Sequence, residues 1–171
     1  MAVSSPNGVH LTTSPQIGLQ REFALPPRQP GFHLITAELI AHVPELRSLT
    51  CGMAHVYIKH TSASLTINEN IAREVLDDFT SWFDRAVREN EPYWTHTEEG
   101  PDDMPAHIKA SLLGSSVTVP LRDGRLVLGE YQGVYLCEHR REGRPRTIVV
   151  TAWGQRHADE HRAARRHRTG Y

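Results

Sequence analysis

Residues 53–59 set Met53, His55, Tyr57 and Lys59 against Ala54, Val56 and Ile58, a period of two that places one face in a core and the other outside it. The strand this predicts runs into a polar island, Lys59-His60-Thr61-Ser62-Ala63-Ser64, before Leu65–Ile67 resumes as a second strand. Other strands are predicted over 16–25, closed by Pro26-Pro27, and over 31–35. More follow at 116–120, 125–129 after the Asp123-Gly124 turn, 134–138, and 146–152 with its β-branched Thr147-Ile148-Val149-Val150-Thr151. Helices are fewer. Thr36 is the expected cap of a short one carrying Leu39, Ile40, Val43 and Leu46, broken at Pro44. A long helix is predicted from the stripe Ile71, Val75, Phe79, Trp82, Phe83, Ala86 and Val87, with Asn70 as its cap and Asp77 and Asp78 on its solvated side. A third has Pro105 and His107 in its first turn and stops at Gly114. Strands, a helix, a strand pair, a long helix and then antiparallel strands predict an α+β fold with an antiparallel sheet, in one domain.

The chain has 171 residues, enough for one core, and a net charge of -1. That balance predicts no nucleic-acid or acidic-membrane partner. The two cysteines, Cys51 and Cys137, have no metal-ligand spacing and are expected to be buried free thiols in a reducing compartment. The N-terminus lacks the basic and apolar regions of a signal peptide, and no apolar run has membrane-spanning length, so a cytoplasmic protein is expected. Residues 1–15, rich in Ser, Thr and Pro, read as a loose arm. The tail from 155 to 171 holds five arginines against Asp159 and Glu160, with no interleaved aromatic residues for base stacking.

The strongest chemical signal is His96-Thr97-Glu98-Glu99-Gly100-Pro101-Asp102-Asp103-Met104-Pro105-Ala106-His107. Imidazoles and carboxylates bind divalent metals and move protons near neutral pH, and crowding them costs stability, so their concentration marks a site. His60, His96 and His107 are candidate ligands for a zinc- or magnesium-like ion, with Asp102 and Asp103 as oxygen donors, although no pair of histidines four apart marks the site. The competing reading is that these histidines only orient carboxylates. Arg140, Arg144 and Arg146 could grip phosphate oxygens, although Arg146 after Pro145 could instead bridge subunits. Glu69 is a cap, a partner of Lys59, or a catalytic group. Gln132 and Glu138, six apart on one strand, share a face, and Glu138 could complete a metal shell or order His139 or Arg140. Ser62 beside His60 lacks a nucleophile elbow and reads as a hydrogen-bond donor.

Three segments, 59–70, 99–109 and 129–140, resemble the YjbQ family, often labelled secondary thiamine-phosphate synthase. The resemblance spans residues 18–154 and leaves 1–17 as an N-terminal arm and 155–171 as a basic tail. It implies a compact homotrimer-forming α+β subunit, with the two histidine segments and the Gln132/Glu138 strand in one polar cluster near a subunit boundary. It implies weak thiamine-phosphate synthesis, in which an aminopyrimidine methyl diphosphate joins a thiazole phosphate and diphosphate leaves. The alternative is a trimeric metal-containing binding protein for a small phosphorylated or heterocyclic metabolite, with incidental synthase activity. A metal-dependent hydrolase is a third, weaker option. The candidate roles are catalytic for Ser62, Glu69, Asp103, Gln132 and Glu138; substrate-binding for Thr61, Asn68, Tyr131, Arg140 and Arg146; and metal-ligating for His60, His96 and His107. Glu130-Tyr131 stands where the family usually has Thr-Trp, which adds a charge and a hydroxyl beside a candidate stacking ring.

Overall fold

A computed structural model describes residues 3–4, 10–11 and 16–156. Ten strands and three α-helices follow in chain order. They are β1 (Val3–Ser4), β2 (His10–Leu11), β3 (Gln16–Leu25), β4 (Gly31–Leu34), α1 (Thr36–His42), a 3₁₀ turn (Pro44–Ser48), β5 (Leu49–Ile58) and β6 (Ala63–Glu69). Then come α2 (Arg73–Ala86), α3 (Asp103–Leu113), β7 (Ser116–Arg122), β8 (Arg125–Leu126), β9 (Gln132–Glu138) and β10 (Arg146–Arg156). The arm reading falls mostly outside the described residues, apart from the antiparallel β1–β2 pair. The tail beyond Arg156 lies outside them, and β10 itself runs past the expected boundary at 154.

The α+β expectation holds, with two main sheets rather than one. A five-stranded sheet is ordered β3-β10-β5-β7-β8 and a three-stranded one β4-β9-β6, and every pairing in both is antiparallel. The alternation seen in the sequence explains their faces. Ala54, Val56 and Ile58 of β5 meet Ile148, Val150 and Ala152 of β10 inside, and Leu65, Val134 and Leu136 supply the other sheet's contribution to the same core. Burying side chains of this size contributes about 1.5–3 kcal/mol each. The Asp123-Gly124 turn forms the β7–β8 hairpin with both residues at positive φ, 48° and 74°, as a two-residue turn between right-twisted strands requires. The strand expected over 125–129 is only two residues long.

The helix expectations need correction at their starts. Pro44 does break the first helix into α1 and a 3₁₀ turn, but Thr36 lies inside α1, and its hydroxyl accepts the Val134 N–H at 2.8 Å instead of capping. Asn70 does not cap α2, which begins at Arg73. Its amide donates to the Glu130 and Gln132 carbonyls and ties the β6 exit to the turn before β9. The apolar stripe of α2 is only partly used. Phe79 meets Phe32 of β4 edge-on and Phe83 packs near it at a tilt, while Ile71 and Trp82 are 69% and 60% exposed. One short strand is too narrow a partner to cover the whole stripe. Asp77 and Asp78 face outward as expected. Cys137 is buried as expected, but Cys51 is exposed on the outer face of the five-stranded sheet.

The connections matter most for function. Residues 59–62 carry the chain from β5 in the larger sheet to β6 in the smaller, and residues 139–145 carry it from β9 back to β10. Both crossings meet at one corner, where the Lys59 N–H donates to the Thr147 carbonyl at 3.0 Å. Helix α3 packs on β6 beside them.

Candidate functional site

The polar island His60-Thr61-Ser62 is one of these crossings and Arg140–Arg146 lies in the other. With α3 they enclose a cleft of about 490 Å³ lined by Thr61, Ser62, Asp103, His107, Arg144 and Arg146 among others. Backbone leaving a sheet edge presents polar groups that need partners, and here side chains provide them.

Helix α3 starts at Asp103, two residues before Pro105, so His107 is its fifth residue and not in its first turn. Asp103 and His107 are therefore four apart on one face. The Asp103 carboxylate is 1% exposed as a residue and is shared by three neighbours. Oδ2 lies 2.8 Å from His96 Nε2 and 3.2 Å from His107 Nε2, and Oδ1 pairs with the Arg140 guanidinium. The nearest ligand atoms of His96, Asp103 and His107 all lie within 4.8 Å of one another, a separation that suits one shared ion. His107 Nδ1 lies 3.0 Å from the Thr61 carbonyl, which can only accept. Nδ1 therefore carries a proton, and Nε2 of the neutral ring turns a lone pair toward the carboxylate. Two acceptors face each other there unless a second proton or a cation lies between them. A ring nitrogen anchored to a backbone carbonyl is also the arrangement that orients metal-ligating histidines.

Arginines surround this group. Asp102 Oδ2 accepts from Arg140 Nε at 3.0 Å and from the Arg141 backbone N–H at 2.9 Å. Burial pushes the Asp102 carboxyl up, but the Arg141 N–H and the Arg140 guanidinium outweigh it and hold the group below the usual carboxylate range. Arg140 Nη2 also donates to the Glu99 carbonyl at 2.7 Å. Arg146 makes a bidentate pair with Glu138, Nε to Oε2 at 2.7 Å and Nη2 to Oε1 at 2.6 Å, with both side chains almost fully buried. Its remaining edge, Nη1, faces Ser62 Oγ at 3.3 Å and His60 Nδ1 at 3.2 Å. Arg144 makes no ion pair or hydrogen bond among the described residues, which leaves its charge available at the cleft.

Of the candidate metal ligands, the structure brings His96 and His107 together with Asp103 and leaves His60 apart. Nε2 of His60 accepts the Thr147 N–H at 3.0 Å, and Nδ1 faces Arg146. Burial and then Arg146 push its pKa below the usual histidine range, against the pull of Glu138, so the ring is neutral. Within the chain both Glu138 oxygens are engaged, by Arg146 and by the Arg140 N–H, so of the expected roles for Glu138 the structure shows the ordering of Arg140.

Four other candidates are elsewhere. Gln132 shares a face with Glu138 but sits at the opposite end of β9, about 20 Å away at the usual strand rise. There Gln132 Oε1 accepts the Gly129 N–H, Asn68 Oδ1 the Glu69 N–H, and Glu69 Oε1 the Ile71 N–H, while Tyr131 is 56% exposed. Glu69 thus braces its own turn, and Lys59 pairs with Glu22 instead. Within one chain the expected single cluster is two. Sequence reasoning missed Ser64, which is fully buried with Oγ 2.8 Å from His139 Nε2. Its position between strand residues in a polar island was the only signal.

These features define a class: a single-domain α+β protein of two antiparallel sheets with a histidine, carboxylate and arginine cleft where the chain crosses between them. The chain belongs to the YjbQ-like UPF0047 family, whose profile matches residues 21–155. It is 46% identical over 136 residues to the UPF0047 protein YjbQ of Salmonella typhimurium, covering 80% of this chain and 98% of that protein. It is 38% identical to the UPF0047 protein YugU of Bacillus subtilis over 70% of this chain and 87% of that one. Among solved structures, a yjbq/upf0047 family protein of Clostridium acetobutylicum superimposes with a TM-score of 0.67 at 34% identity, over 76% of this chain and 97% of that one. A YbjQ-like protein of unknown function from Sulfolobus solfataricus shares the fold, with a TM-score of 0.72 at 23% identity over 82% and 99%. No helix among the described residues is long and apolar enough to cross a membrane.

Proposed function

We propose that the cleft holds a divalent cation on His96, Asp103 and His107, binds the phosphate groups of a small metabolite beside it, and carries out thiamine-phosphate synthesis. The observation behind this reading is the His107 ring. Its Nδ1 is anchored to Thr61 and its Nε2 is aimed at a buried carboxylate, so the donor set fits a cation. When bound, such an ion supplies positive charge that eases departure of diphosphate. The protein's own groups do the rest. The Thr61 and Ser62 hydroxyls and the Nη1 edge of Arg146 offer hydrogen bonds to phosphate oxygens, and Arg144 adds an unneutralised charge. The thiazole nitrogen already has a lone pair, so no general base is required of His60 or Ser62.

The family resemblance also supports a homotrimer. On that reading Asn68, Glu69, Tyr131 and Gln132, remote within one chain, enter a cleft only from a neighbouring subunit. A binding protein with incidental synthase activity is the second reading. It is favoured by the arginines themselves, since Arg140 and Arg146 are already paired with carboxylates and leave Arg144 nearly alone to meet a leaving diphosphate.

Calorimetric titration of the chelator-stripped protein with Mn²⁺ or Zn²⁺ tests the site. One ion per chain is expected, with affinity reduced about 10–100-fold in His96→Gln, whose half-exposed side chain makes it a mild change to the fold. Absence of binding, or binding unaltered by that substitution, removes the metal. Chromatographic detection of thiamine phosphate from the two substrates, with and without chelator, tests the reaction. Restored growth of a thiamine-phosphate synthase deletion at ordinary expression favours the enzyme. Restoration only on gross overproduction favours the binding protein.

A further inference from the structure

The segment that walls the cleft has a second side. Between β9 and β10 the chain bends at residues 140–142 and sends its side chains to two sides. Arg140, Glu142, Arg144 and Arg146 face the cleft, while His139 and Arg141 face a separate cavity of about 500 Å³. Helix α3 divides in the same manner, with His107 on the cleft and Lys109 on the cavity. The two spaces share no lining residue.

The cavity differs from the cleft in chemistry. One wall is apolar: Phe32 of β4 and Phe83 of α2, with ring centroids 6.2 Å apart and planes tilted by 37°, and Val87 next to them. An aromatic wall of this kind favours a partner with a ring of its own, packed on it edge-on or offset. The opposite wall offers donors. His139 is mostly enclosed, and burial first, then the charges of Lys109 and Arg146, push its pKa down to about 3, so its ring is neutral. Nε2 faces Ser64 Oγ at 2.8 Å. Behind Ser64 the Cys137 thiol, pushed up to about 12 by burial and drawn back only in part by Ser64, stays protonated. The other ring nitrogen, Nδ1, has no partner among the described residues, and in the tautomer where Ser64 donates to Nε2 it carries the ring proton and offers it to a ligand. Lys109 lies close by, its ammonium 2.8 Å from an Asp84 carboxylate that is itself mostly exposed and so readily exchanged for another acceptor. The local charge is positive. Arg88, Lys109 and Arg141 face the cavity against Asp84 and Glu89, and the carboxylate of Glu138 is neutralised from the far side by Arg146.

We propose that this cavity is a second ligand site, distinct from the cleft, for a small planar aromatic carboxylate whose ring lies against Phe32 and Phe83 and whose carboxylate meets Lys109 and His139. Sites of this kind pair an apolar body with a few convergent polar groups. A ligand there lies behind Glu138, the residue that holds Arg146 in the cleft, yet the assignment does not depend on what the cleft does.

Benzoate is the probe. The full chain labelled with ¹⁵N-histidine is titrated with benzoate and followed by the imidazole nitrogen resonances. Saturable movement of the His139 signals is expected, with a dissociation constant on the order of 1 mM for a ligand of this size. Benzyl alcohol, which keeps the ring and lacks the charge, is expected to bind at least about tenfold more weakly. Thr80 lines the cavity from an exposed position on α2, so Thr80→Trp fills the space without disturbing the core and is expected to abolish the response. A flat titration, equal binding of benzyl alcohol, binding unchanged in Thr80→Trp, or movement confined to the His60 and His107 signals of the cleft would each overturn the assignment.

Discussion

Replacing Arg146 by Met is expected to destabilise the protein by about 3–5 kcal/mol, because it strands the Glu138 carboxylate at 1% exposure with no cation to pair it. Two hydrogen bonds of 2.6 and 2.7 Å disappear, and Ser62 and His60 lose the guanidinium edge that orders them. The Glu138 side chain has no solvent exposure, so its charge is left unhydrated where it stands. Urea denaturation at neutral pH measures the effect. The double variant Glu138→Gln with Arg146→Met is expected to recover much of the loss, because it removes the uncompensated charge instead of the attraction alone. A cost below about 1 kcal/mol for Arg146→Met, or no recovery in the double variant, contradicts a buried and mutually dependent pair.

Acid is expected to unfold this protein partly through His139. Its native pKa of about 3 lies well below the ordinary value of 6.5 that the unfolded chain adopts. Between those values the unfolded state binds a proton that the native ring refuses. Stability from this group is therefore complete above pH 6.5 and falls as pH drops toward 3, with a slope approaching about 1.4 kcal/mol per pH unit. His60, also held below its usual range, acts in the same direction. Carboxylates titrate in this window too, so the measurement is a difference. Urea midpoints are compared from pH 6.5 to 4.5, with chelator present, for the wild type and for His139→Gln, which keeps an acceptor for Ser64. The variant is expected to show the shallower dependence, and parallel curves would refute a neutral buried imidazole.

Much of the fold was legible because the hydrophobic period is a local property. The alternation over 53–59 and the β-branched run over 147–151 both became inward-facing strands of the larger sheet, and Asp123-Gly124 became the hairpin their residue types demand. Helix starts were less legible. Asn70 and Thr36 are good caps by residue type, but each had a stronger partner in the turn before β9 or in β9 itself, which no local window contains. The stripe of α2 promised a buried face that its one narrow neighbour, β4, could not supply.

For the site, residue chemistry and proximity in the chain carried the reading as far as His96, Asp103 and His107, which lie within twelve residues and do converge. The α3 boundary was missed by two residues, and with it the four-residue spacing that puts Asp103 and His107 on one face. His60 and Glu138 have the right chemistry, but Arg146 engages both from β10, over eighty residues from His60. The sequence by itself determined which segments are strands, which way their side chains alternate, and which short stretch concentrates imidazoles and carboxylates, because each depends on neighbours along the chain. Tertiary structure alone decided that both crossings between sheets meet at one corner, that Gln132 lies a strand's length from Glu138, and that one crossing segment separates a charged cleft from an aromatic cavity. Those outcomes depend on sheet order and register, which arise from pairing between residues far apart in sequence.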